Sequence, residues 1–256
     1  MNTMTSLRGA TFCIALLTPS FAGATLPLIT DDAGTVGKGH FQLEVNAQYD
    51  HDQEHRVTTT GGQVDPIFTY GIADSIDLVL ITPYLWINEK SNLGKSSEKG
   101  LSDATVDVKF RVFEKDGLSF AVKPGLSLPT GDDDKGLGTG KLGYHIYFIG
   151  TKETGPWSFS ANLGYIRNET NVDTDERDIW HASVSTIYTI NDRWKIAADL
   201  VAERNTSKDN DNDPVYALGG VIFSLTKDID LDLGLKAGLT SSATDWSLLA
   251  GATFRF

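Results

Sequence analysis

Phe41-Gln42-Leu43-Glu44-Val45-Asn46-Ala47-Gln48-Tyr49 alternates apolar and polar residues without a break. Ile229-Asp230-Leu231-Asp232-Leu233-Gly234-Leu235-Lys236-Ala237 does the same near the other end of the chain. Side chains two apart share one face of a β-strand, so each stretch has one apolar and one polar face. Between them Val106, Val108, Phe110 and Val112 alternate with Thr105, Asp107, Lys109 and Arg111. Working outward, about twelve segments carry this period: 40–50, 63–71, 75–88, 102–114, 117–129, 141–152, 156–168, 178–190, 193–205, 214–226, 229–240 and 245–256. Most reach the roughly 9 to 11 residues that a tilted strand needs to cross a bilayer. Strands of soluble proteins are usually about 5 or 6 residues.

The connections sort by length. Short ones fall at 71–74, 114–117, 153–156, 191–192 and 227–228. Longer polar loops are expected at 51–62, 89–101, 130–140, 169–177 and 206–213, while 241–244 departs from the pattern by being short. Short turns at one end and long loops at the other is the outer-membrane layout, with the short turns periplasmic. Trp86, Trp157, Trp180, Trp194 and Trp246, with Tyr70, Tyr84, Tyr144 and Tyr165, take outward parity near strand ends, where an interface suits a ring with a polar atom. The expected fold is therefore all-β: a transmembrane antiparallel β-barrel of about twelve strands in contact with outer-membrane lipid.

Bulk properties agree. The chain has 256 residues, 40% of them hydrophobic, and a formal net charge of -12. An acidic chain is a poor partner for nucleic acid, which selects basic surfaces. No apolar run is long enough for a membrane helix. Residues 1–24 read as a signal peptide: Arg8 is the one charged side chain, Gly9 to Ala22 is mostly apolar, and Ala22-Gly23-Ala24 suits cleavage after Ala24. The single cysteine, Cys13, lies inside that segment and follows bulky Phe12, which disfavours lipidation. The mature barrel, 25–256, must then be held by its sheet and not by disulfides. The last strand ends on Phe256, which suits recognition by the outer-membrane assembly machinery.

A charge facing lipid at mid-bilayer costs about 2–4 kcal/mol. Parity therefore puts Glu44, Asp65, Asp77, Asp107, Lys109, Arg111, Lys123, His145, His181, Lys195, Asp199, Glu203, Asp230, Asp232, Lys236 and Arg255 in the lumen. Most should pair across strands; the lumen-lining candidates for a role in solute passage are Asp77, Asp107, Lys109, Arg111, Lys123, His145, Lys195 and Asp199. Val79, Ile81, Pro83 and Leu85, with Ile149, Ile166, Leu218 and Ile222, give the lumen an apolar wall. That wall fits either hydrophobic solutes or an N-terminal plug, 25–39, folded in against it. Asp132-Asp133-Asp134 and Asp209 to Asp213 are acidic loop clusters. Asp209, Asp211 and Asp213 match the first ligand positions of an EF-hand loop, but Pro214 and Gly220 stand where that loop needs glycine and glutamate, so no metal is assigned. No cofactor motif is present and no catalytic residue is assigned. His181 and Ser183 share a face, but a nucleophile also needs a third group to orient its base.

Two stretches resemble a known family: Leu26-Pro27-Leu28-Ile29-Thr30-Asp31-Asp32-Ala33-Gly34-Thr35, continuing through Gly37-Lys38-Gly39 to Phe41-Gln42-Leu43-Glu44, and Leu128-Pro129-Thr130-Gly131 followed by Gly136-Leu137-Gly138-Thr139-Gly140. Together they look like the outer-membrane proteins of the phenol-degradation meta-pathway family. The resemblance implies a transporter-like barrel linked to aromatic catabolism. The expected function is passive transport of small aromatic or hydrophobic solutes, without enzymatic activity. The alternatives are a closed structural or adhesive barrel, and an outer-membrane lipid hydrolase that would need His181 and Ser183 on the lipid face.

Overall fold

A computed structural model describes residues 27–54, 57–92 and 94–256. The signal peptide and its cleavage point lie outside the described residues. Fourteen strands form one antiparallel sheet: β1 (Phe41–Glu54), β2 (Val57–Ala73), β3 (Ile76–Ile81), β4 (Tyr84–Ser91), β5 (Gly94–Leu101), β6 (Ala104–Lys115), β7 (Leu118–Leu128), β8 (Gly143–Thr154), β9 (Trp157–Arg167), β10 (Asp178–Thr189), β11 (Trp194–Glu203), β12 (Val215–Ser224), β13 (Ile229–Gly238) and β14 (Trp246–Arg255). Pairing of β1 with β14, from Gln42↔Arg255 to His51↔Trp246, closes the sheet into a barrel.

Fourteen strands make twelve spanning staves. β3 and β4 lie in line along β2 and pair with β6 and β5 in turn. The break between them falls at Thr82-Pro83, because Pro83 has no N–H to give to the ladder. Its carbonyl still accepts from Ser102 N at 2.8 Å, so the interruption in one stave faces the interruption in the next.

The structure corrects two of the expected loops. At 51–62 and 89–101 the strands continue, β1 and β2 pairing out to Glu54↔Val57 and β4 with β5 out to Ser91↔Gly94. Residues 94–100 are polar on both faces. Beyond the bilayer neither face is required to be apolar, so the alternation that marks a spanning strand stops while the ladder continues. The connections at 130–140, 169–177 and 206–213 are loops, and one isolated bridge, Asp175↔Ser207, ties the last two together.

The outer face is apolar and aromatic. Tyr49, Phe68, Leu80, Phe148, Leu163, Leu233 and Leu248 are exposed along it. Two girdles flank them. At the end with the short turns Phe41 meets Tyr70, Trp157 meets Tyr188 and Trp194 meets Phe223, with ring centroids 4.6, 4.6 and 4.7 Å apart. At the loop end stand Tyr144, Tyr165, Trp180 and Trp246. Trp86 is half-buried, because its ring lies over Gly62 on β2, where any side chain would collide with it.

Candidate functional site in the lumen

Of the sixteen charged or ionisable residues given inward parity, thirteen are buried in the lumen wall. Arg111, Lys195 and Arg255 are only half-buried, near the short-turn end of the barrel. Arg111 pairs with Glu114 at 3.1 Å and donates to the Asp74 carbonyl at 2.9 Å.

The lumen is crossed by residues 27–38, a thread with no strand pairing of its own. Its backbone donors must therefore find side chains. The Asp199 carboxylate accepts from Ile29 N (2.7 Å), Thr30 N (2.8 Å) and Thr30 Oγ1 (2.6 Å). The Asn162 amide brackets Asp31, accepting from its N–H at 2.6 Å and donating to its carbonyl at 2.9 Å. Ala33 N donates to Thr151 Oγ1 and Val36 N to Asp77 Oδ2. Asp74 receives two more, its carbonyl from Thr35 Oγ1 and its carboxylate from Lys38 N.

Asp31 is the electrostatic centre. Lys109 Nζ reaches one carboxylate oxygen at 3.0 Å and Lys123 Nζ the other at 2.9 Å. Lys123 is 0% exposed and also lies 3.9 Å from Asp107, which accepts a 2.9 Å hydrogen bond from His145 Nε2. An ammonium so deeply buried requires a counter-charge. Here the thread supplies it.

Apolar contacts complete the seat. Pro27 lies against Gly220 and Gly234, where a Cβ would come within 2.5 Å of it. Ile29 joins Val201, Tyr216, Leu218 and Leu249; Leu28 packs on Ala197; Ala33 packs on Ala121, Tyr147 and Ile149. Of the expected apolar wall, Leu218 and Ile149 are thus covered by the thread, with Ile166 packed against the same cluster as Ile149. Leu85 is covered by a second inward fold. Loop 129–142 is gathered by Asp103, which accepts from Gly131 N, Thr139 N and Thr139 Oγ1 at 2.8–2.9 Å. The loop presses Leu137 onto Leu85 and Ile87. At its tip Asp132 caps a 3-10 turn and binds Lys135, whose hydrogen bond holds the Asp132 carboxyl below its ordinary range. Ile67, Val79 and Ile81 form a separate cluster.

Below the thread, towards the short turns, a vestibule of about 430 Å³ opens between Asp31, Lys109, Glu44, Asp77, Arg255 and Phe256.

Parity identified most of these wall residues, but sequence reasoning missed the partnerships. Asp31 lies in the family-like stretch, which assigns it no partner, and Asn162 and Asp103 lie in no motif. Glu203 was placed inside without its role: its Oε1 lies 2.6 Å from His181 Nδ1, while His181 Nε2 lies 3.0 Å from Ser183 Oγ. That spacing is the one a serine nucleophile, its base and an orienting acid adopt. The strand pairs on both sides, so its N–H groups are committed to ladders and leave no donor for an oxyanion. Ser183 is buried and faces the lumen, not lipid. The arrangement acts as a polar tie between β10 and β11. No three His, Cys, Asp or Glu side chains converge as metal ligands among the described residues.

A family model described as "Putative MetA-pathway of phenol degradation" matches residues 26–256. No curated protein matches the sequence. In fold the chain is similar to an outer membrane channel from Pseudomonas putida F1, with a TM-score of 0.70 at 15% identity over 88% of this chain and 98% of that one. It is also similar to the KdgM porin (TM-score 0.55, 12% identity, 84% and 99%) and the NanC porin (0.54, 12%, 83% and 98%).

Proposed function

Because the chain belongs to that phenol-degradation family through residues 26–256, we propose that it is an outer-membrane conduit for passive passage of small aromatic or hydrophobic solutes. On this reading it is exported by a cleaved signal peptide, is assembled through its terminal strand and Phe256, and performs no chemistry on its cargo.

The observation that carries the reading is how the lumen is filled. A barrel built only as a structural element has no need of a removable filler, since wall side chains can interlock directly. Here the filler is a strandless segment held by side-chain hydrogen bonds and two ion pairs. Release of the thread would bare Ala121, Ile149, Val201 and Leu218, an apolar lining beside polar anchors, which is the usual make-up of a small-molecule site. The vestibule below is already of ligand-binding size, since such sites run from about 300 to 1,000 Å³. The eight proposed lumen residues then divide. Lys109, Lys123, Asp77 and Asp199 hold the thread, Asp107 and His145 back up Lys123, and Arg111 and Lys195 flank the exit.

The test is conductance of the refolded protein in planar bilayers, with and without small aromatic acids, for the native chain and for Asp31→Asn. The expected outcome is small native steps, larger ones in the variant, and block by aromatic solutes in both. Silence in both, from protein that migrates as a folded barrel, would overturn the conduit reading and favour a closed structural barrel.

A further inference from the structure

We infer a second binding site in the lumen wall, for a small hard cation, formed by Asp232 (β13), Asn46 and Glu44 (β1) around Gly251 (β14). Register brings them together. Asn46 and Asp232 flank Gly251 in one row across the three strands, and Glu44 lies in the next row towards the vestibule, beside Thr253.

Gly251 has no Cβ, and side-chain oxygens fill the space one would take. A Cβ there would sit 2.7 and 2.8 Å from the two Asp232 carboxylate oxygens and 3.0 Å from Asn46 Oδ1. Three side-chain oxygens therefore gather beside the Gly251 backbone. Asp232 is 4% exposed, yet neither of its carboxylate oxygens has a hydrogen-bond partner among the described residues. Glu44 Oε2 and Asn46 Nδ2 are likewise buried without partners. Buried carboxylates require counter-charge. Four nearby cations are engaged elsewhere: Arg255 holds Asp230 at 2.8 Å, Lys109 and Lys123 hold Asp31, and Lys236 lies 3.9 Å from Asp50.

The donors fix the ligand class. All are oxygens, from two carboxylates and one amide, and no imidazole or thiolate contributes, which suits hard cations of the calcium type. Two carboxylates balance one divalent ion. The donor set of two acids and an amide falls short of a closed cage, so the site is an exchangeable one with water completing the coordination. Glu44 lines the vestibule, which gives the ion an aqueous way in. The site does not depend on the conduit reading.

Calcium is the probe. It is titrated into the refolded full-length protein in detergent while thermal unfolding is followed by tryptophan fluorescence. Calcium should raise the melting temperature of the native chain. Asp232→Asn and Gly251→Ala should each raise half-saturating calcium at least tenfold, whereas Asp209→Asn with Asp211→Asn should leave it unchanged. Asp232→Asn removes an unpaired buried charge, so it should fold, and native heat-shifted migration on gels checks this. A native protein indifferent to calcium would overturn the site, as would a calcium response that survives Asp232→Asn or vanishes in the surface double variant. Either conductance outcome leaves these results interpretable.

Discussion

The two sides of the lumen carry the same kinds of residue and treat them differently. Along β6 to β11 buried charges meet partners: Lys109 and Lys123 share Asp31, Asp107 meets His145, and Asp199 gathers three donors from the thread. Across β1, β2 and β13 stand Glu44, Asp65 and Asp232, each with at least one buried carboxylate oxygen that lacks a partner. Alternation alone would make these walls equivalent. The difference teaches that lumen polarity serves two ends. One wall is complementary to a particular peptide segment; the other keeps negative charge available.

The largest effect should come from Asp31→Ala, which strands two buried ammonium groups. Breaking a buried pair from one side costs about 3–5 kcal/mol, and here the cost falls on thread docking. The check is a cysteine at Ala33, now fully buried: Ala33→Cys alone should resist a bulky maleimide and should be labelled once Asp31 is removed. Asp199→Ala should follow, leaving the Ile29 and Thr30 N–H groups unsatisfied at about 1–3 kcal/mol, read as faster hydrogen exchange at those two amides. Gly220→Ala puts a methyl 2.4 Å from the Leu233 carbonyl and 2.5 Å from Pro27 Cγ, an overpacking of about 1–3 kcal/mol visible as a lower melting temperature. On the opposite wall the sign should change. Asp65→Asn, which removes a buried charge whose Oδ1 lacks a partner, should leave stability unchanged or raise it by about 1 kcal/mol. If it destabilises as Asp31→Ala does, the contrast between the walls fails. The smallest effect belongs to Lys135→Ala at the exposed loop tip, where stability should not move measurably. The Asp132 carboxyl, held low by Lys135, should titrate back upward in that variant. Any stabilisation from that pair is present above the ordinary carboxylate range and is lost as pH falls through the depressed value.

Alternation made the barrel legible because lipid imposes it on every spanning strand. It ends where lipid ends, which is why the outer parts of the β1–β2 and β4–β5 hairpins, with polar residues such as Thr58, Thr60, Ser96 and Lys99, read as loops. Parity also gave the inward residues, since a charge has only one affordable face. The partners were not legible. Asp31 meets lysines 78 and 92 residues away, and nothing local to Ile29-Thr30-Asp31 announces them. His181 and Glu203 face each other directly across β10 and β11, but that pairing depends on register through a connecting turn whose geometry the sequence leaves open.

Pro27 to Lys38 can also be regarded as a tethered competitor. Any solute that uses the same lining contends with a segment joined to the first strand, whose effective concentration is fixed by a few residues of chain and cannot be diluted. The apparent affinity for a solute is its intrinsic affinity multiplied by the fraction of barrels with the thread released. Affinity and leakage are therefore coupled. A variant that loosens the thread should bind its solute more tightly and, by the same factor, guard the membrane less well.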